Sequence, residues 1–130
     1  IYNGLEAGNN KRLEFFEKDP IEWKEHKFKP LIQKLLALQK ENTALWHGKY
    51  GATMERIYNT NPTEVFSFIR EDTKDKVFVV INFSDKEQDI QFMGPQTAGV
   101  YTELFNKQKA TLTEETRLKL APWEYRVYVR

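Results

Sequence analysis

The chain has 130 residues, 40% hydrophobic and 14% aromatic, enough for one core of ordinary size and too few for a second independent domain. Its 20 basic and 19 acidic side chains nearly cancel without a long run of either sign, which argues against nucleic acid or an anionic membrane as the main partner. No apolar stretch approaches the ~20 residues that span a bilayer, and the lack of cysteine excludes disulfides, thiolate zinc sites and a cysteine nucleophile.

The first eight residues, Ile1-Tyr2-Asn3-Gly4-Leu5-Glu6-Ala7-Gly8, read as a buried strand running out into a glycine-bounded loop. With no initiator Met and no polar leader ahead of it, this start predicts a piece of a larger protein. From Asn9 to Glu25 there is little periodicity: Arg12, Phe15, Phe16, Ile21 and Trp23 are spread among charges, and Asp19-Pro20 marks a turn. This predicts a long loop with aromatic anchors. From Lys27 onward, Phe28, Leu31, Ile32, Leu35 and Leu38 recur at steps of three and four, the pattern of an amphipathic helix. Pro30 has no amide donor and belongs in its first turn, and the helix should end near Asn42.

Beyond Gly48 the period falls to two. Val77, Val79, Ile81 and Phe83 alternate with Phe78, Val80 and Asn82, as in a central strand covered on both faces. Trp123, Tyr125, Val127 and Val129 alternate with Glu124, Arg126, Tyr128 and Arg130, which predicts one wetter face. Similar runs span 53–58, 65–70, 88–92, 100–105, 110–112 and 117–120, separated by turn-forming clusters such as Asn59-Thr60-Asn61-Pro62 and Gly94-Pro95. About eight short strands without helix-length crossovers predict an antiparallel sandwich. Its expected core includes Phe66, Phe68, Val79, Ile81, Leu104 and Val127.

Ile1–Gly8, with Arg12-Leu13 and Phe15-Phe16 behind it, resembles the Ile-Tyr-x-Gly-x-Glu run that ends the last barrel strand in the α-amylase family of glycoside hydrolases. Residues 30–45, followed by Gly48, are similar to the end of that family's final barrel helix. Val65-Phe66-Ser67-Phe68-Ile69-Arg70, residues 77–84 and Leu120-Ala121-Pro122-Trp123-Glu124-Tyr125 look like successive pieces of its C-terminal sandwich, the last resembling the closing Leu-x-Pro segment. The resemblance implies a mainly β fold. Residues 48–130 would form a Greek-key antiparallel β-sandwich of about eight strands, and residues 1–47 would be the last strand, loop and final helix left over from a (β/α)8 barrel. It also implies a parent glycosidase acting on α-glucans such as starch or maltooligosaccharides.

Retaining glycosidases need two carboxyl groups about 5 Å apart. In the family these lie on earlier barrel strands, and the matching segments are absent: neither His26 nor His47 precedes an Asp, and no Arg-x-Asp strand end occurs. No catalytic residue is assigned, and the chain alone is expected to be inactive, its role that of a scaffold for the barrel. The alternative is a stand-alone carbohydrate-binding sandwich or a protein-interaction domain. Glu6, Trp46 and Tyr50 are the candidate substrate contacts, with Trp23 and Trp123 as further stacking aromatics. Glu6 is the carboxylate that the resemblance sets near the barrel mouth, where a structural pairing with Arg12 is the expected role. An exposed coplanar row of Trp46, Tyr50 and Trp123 would favour sugar binding, and their burial a scaffold. His26 and His47 lack metal-ligand spacing, so neither a metal nor a cofactor is expected. The expected partners are the missing catalytic barrel, an α-glucan, or a second copy of the chain docked through the helix face.

Overall fold

The computed structural model describes residues 2–130, so Ile1, the predicted start of a strand, lies outside the described residues. The chain divides into two compact units, Ile1–Glu41 and Asn42–Arg130.

In the first unit the expected strand is not formed. Tyr2 is exposed, Asn3-Gly4 is a turn, and Leu5–Ala7 is a single turn of 3-10 helix closed by the Gly8 amide on the Leu5 carbonyl at 3.0 Å. Gly8 is required here twice over. Its φ of 69° is a left-handed value that side chains resist, and a Cβ at this point would meet the His26 ring at 2.6 Å. The following loop is tied by Asp19, which accepts from the Lys11 ammonium and from the Glu14 amide. Its aromatics are not anchors: Phe15 is 88% and Phe16 92% exposed, and they touch edge to face at 4.8 Å. Helix α1 spans Phe28–Glu41, with Pro30 in the first turn where its missing amide costs nothing. No α1 residue is buried.

The second unit is the sandwich. Its eight strands are β1 (Met54–Arg56), β2 (Val65–Glu71), β3 (Lys76–Asn82), β4 (Gln88–Gln91), β5 (Gly99–Glu103), β6 (Lys109–Leu112), β7 (Arg117–Leu120) and β8 (Tyr125–Val129). All pairings are antiparallel. One sheet has the order β1-β2-β3-β8-β5-β6, and β4 pairs with β7 in the other. The chain thus leaves the large sheet after β3, returns as β5 and β6, leaves again for β7, and comes back as β8 to fill the place between β3 and β5.

The core lies between the sheets: Val65 and Ile69 of β2, Phe78 and Val80 of β3, Tyr101, Leu112 and Tyr128 meet Ile90, Leu118 and Leu120, with Ile57 and Phe92 at the margin. The rings of Phe78 and Tyr128 stack at 5.8 Å and Phe92 meets Phe78 edge-on at 5.0 Å. Leu104 and Val127, expected in the core, are buried but lie outside this cluster, Val127 being paired with Val79. Phe66, Phe68, Val79 and Ile81 are not in this core; they share the opposite face of the sheet and are partly buried. The cause is two polar residues on the core side. Ser67 donates to the Ile57 carbonyl at 2.8 Å and Asn82 donates to the Ala121 and Lys86 carbonyls, so each is satisfied in place. Apolar residues on both sides of β2 and β3 leave the alternation without a single preferred face.

Residues 42–52 arch over the start of the unit through two 3-10 turns, Thr43–Leu45 and Gly48–Tyr50. The Thr43 hydroxyl bonds Asp72 and Asp75, each at 2.7 Å, and Arg70 reaches the carbonyls of Ala52 and Trp46 at 2.8 and 2.9 Å. These bonds explain why the second unit begins upstream of Gly48. Trp123, expected in the last strand, lies in the turn before β8 with φ at 59°.

Candidate functional site

Glu6 sits in the 3-10 turn that Gly4 and Gly8 bracket, and with Ala7, Trp23, Lys24, Glu25 and residues of α1 it lines a cavity of about 530 Å³. The helix contributes Lys29, Ile32, Gln33 and Leu36, one face at steps of three and four. Lys29, in the first turn of α1, is paired at 2.8 Å with Glu25, which lies in the segment ahead of the helix. The Oε2 atom of Glu6 is sealed from solvent and accepts no hydrogen bond among the described residues. Arg12 is exposed and forms no ion pair with it, so the expected pairing is not made.

The aromatic candidates are exposed but scattered. Tyr50 is 70% exposed with the Lys49 ammonium 5.2 Å from its ring centre, and Trp46 lies beside it, its carbonyl held by Arg70. Both belong to the arch at the end of the large sheet where Thr43 bonds Asp72 and Asp75. Trp123 is 62% exposed at the other end of β3, where its amide donates to the Ser84 carbonyl at 3.0 Å. A seven-residue strand separates the two ends by roughly 20 Å. The three therefore form no single row for one short sugar chain. Trp23 is exposed at the rim of the Glu6 cavity.

His26 accepts from the Phe28 amide at 3.3 Å and packs edge-on against the Phe28 ring at 4.5 Å, a role at the start of α1. His47 precedes the Gly48–Tyr50 turn. Among the described residues no group of three or more His, Asp and Glu side chains converges on a metal-sized site.

The carboxylates of the second unit hold turns and strands. Glu103 accepts from the amides of Phe105 and Asn106 at 2.9 and 2.8 Å, Glu71 pairs with Lys76 and Arg130, and Asp89 pairs with Arg117. Burial would raise Glu124, but the bonds from Arg126 and the Ala121 amide outweigh it and its pKa is lowered. Asp72 and Asp75 come nearest to a carboxylate pair because they share the Thr43 hydroxyl. The Asp72 pKa is lowered, chiefly by that hydroxyl and then by the amides of Asp75 and Lys74. A general acid requires the opposite shift. Both Asp72 and Glu124 are thus held toward the ionised form.

The cavity around Glu6 was not foreseen from the sequence; its helix side, Lys29, Ile32, Gln33 and Leu36, adjoins the apolar stripe of Phe28, Leu31, Ile32, Leu35 and Leu38 and shares Ile32 with it.

A family model described as Maltogenic Amylase, C-terminal domain, matches residues 54–127. Over the whole chain the sequence is 29% identical to alpha-amylase 2 of Dictyoglomus thermophilum, covering 22% of that protein. Over 82% of the chain it is 31% identical to the 1,4-alpha-glucan branching enzyme GlgB of Prochlorococcus marinus, covering 15% of it. The chain is therefore less than a quarter of the length of these relatives. Among solved structures, the noncanonic maltogenic alpha-amylase AmyB from Thermotoga neapolitana superposes on 100% of the chain with a TM-score of 0.78 at 16% identity, and 32% of that chain is covered. Trehalose-6-phosphate hydrolase from Bacillus licheniformis matches 75% of the chain with a TM-score of 0.53 at 22% identity, over 17% of its own length. At these identities the superpositions speak to fold.

Proposed function

Because the chain belongs to the maltogenic amylase C-terminal domain family, we propose that it is the non-catalytic C-terminal portion of an α-amylase-type glycoside hydrolase acting on α-glucans, and that it scaffolds the catalytic barrel. The observation that carries this reading is the unfilled apolar surface of the first unit. No residue of the amphipathic α1 is buried, Leu36 is 47% exposed, and Phe28 and Leu35 are exposed with it. Surfaces of this kind drive association when left open. The proposed occupant is the remainder of the barrel, since the relatives have more than four times the length that aligns with this chain. The bond-holding roles of Glu71, Asp89, Glu103 and Glu124 fit a part that carries no chemistry of its own.

A chimera tests the proposal: this chain replaces the aligned portion of AmyB, and maltooligosaccharide hydrolysis and melting temperature are measured. An active, cooperatively melting chimera beside an inactive isolated chain is the expected result. Turnover by the purified chain, abolished when one of its own carboxylates is changed, would overturn it. A second copy of the chain is the competing occupant of α1, and a monomer in sedimentation excludes it.

A further inference from the structure

The cavity around Glu6 combines a carboxylate with one unpartnered oxygen, an aromatic rim and an apolar base, its two glutamates balanced in number by Lys24 and Lys29. One oxygen of the Glu6 carboxylate is shut off from solvent without a donor, a costly state for a group that carries charge. Ala7, Ile32 and Leu36 supply hydrocarbon surface, and Trp23 offers an exposed indole at the rim. The two lysines of the lining do not relieve Glu6: Lys29 is neutralised by Glu25, and Lys24 makes no ion pair with it. The final torsion of a glutamate is soft, so a small turn presents both oxygens to the cavity.

We infer that this cavity is a socket for an arginine side chain of the polypeptide that covers α1, a specific contact within the docking proposed above and resting on it. A guanidinium matches a carboxylate with two parallel bonds, stacks on an indole face, and brings an aliphatic stem that suits Ile32 and Leu36. Lysine matches the charge but neither the fork nor the stacking. At about 530 Å³ the cavity has room for the arginine and for the neighbouring residues that carry it.

The test uses the full chain and N-acetylarginine amide as the probe, with N-acetylcitrulline amide as the uncharged isostere, followed by amide and indole chemical shifts. Saturable shifts at residues 5–8 and at the Trp23 indole are expected with the arginine probe at millimolar concentration, and none with citrulline. Glu6→Gln should weaken binding about tenfold, the worth of one charge-assisted bond, and Trp23→Leu should weaken it with the spectrum of the second unit unchanged. Equal response to the two probes, no saturable shift, or unaltered affinity in Glu6→Gln would overturn the inference. Micromolar affinity for the free probe would also overturn it, since it would mark a small-molecule site. The measurement is made on the chain alone, so its failure is separable from failure of the chimera.

Discussion

Asp72 shows how a single carboxylate couples this fold to pH. Its pKa lies below the ordinary 3.8, mainly because of the Thr43 hydroxyl, so the folded state favours the ionised form. The stability this contributes is complete above about pH 4 and is lost as pH falls through the lowered value. Thr43→Ala should move the Asp72 titration upward toward 3.8 in a carboxyl-carbon NMR titration, and an unmoved midpoint would show that the hydroxyl is not the cause. Neighbouring residues of β3 supply a second test. Val80 faces the core and is fully buried, whereas Val79 faces the other side and is partly exposed. Val80→Asp should abolish cooperative melting, since an unpaired buried charge costs several kcal/mol against a total of roughly 5–15 kcal/mol. Val79→Asp should keep a transition at reduced temperature. The reverse order would place the core on the wrong side of β3.

At the scale of elements, α1 was legible because steps of three and four and the placement of Pro30 are local properties, and the helix spans Phe28–Glu41 as that pattern implies. The strands were legible for the same reason, their period being two and their ends marked by turn residues. What was not legible was which side of β2 and β3 turns inward. That depends on Ser67 and Asn82 finding partners elsewhere in the chain, Ile57 for one and Ala121 for the other. The expected strand at Tyr2 failed in a similar way, because a strand exists through its neighbour and none of the described residues pairs there. The Glu6 cavity was hidden too, since it needs the turn at Gly4–Gly8, Trp23 and one helix face brought together. For α1 itself, Leu36→Glu should change the stability of the isolated chain by less than about 0.5 kcal/mol, as at other open surface positions. The same substitution should lower the melting temperature of the AmyB chimera. A large loss in the isolated chain would mean that this face is already filled.

For the whole molecule, Trp46 and Tyr50 lie too far from Trp123 to grip one short stretch of sugar together, and the proposed scaffold role calls for no retention on starch. The chain should migrate through native gels containing soluble starch at the same rate as through plain gels, and retardation removed by Trp123→Ala would favour the carbohydrate-binding alternative. The position of β8 has a different consequence, one that concerns the order of events in synthesis. Within the large sheet β8 lies between β3 and β5, pairing Val79 with Val127 and Thr102 with Val129. Until Tyr125–Val129 has left the ribosome, β1–β3 and β5–β6 are two separate ribbons with their facing edges open. Contacts so distant in sequence make for slow closure, in the millisecond-to-second range typical of β-sandwiches. During that interval Phe78 and Tyr101 lack the Tyr128 ring, which packs against both of them in the finished core. Nascent chains stalled before residue 125 should therefore remain sensitive to protease throughout the second unit, and chains released beyond residue 130 should become resistant in one step.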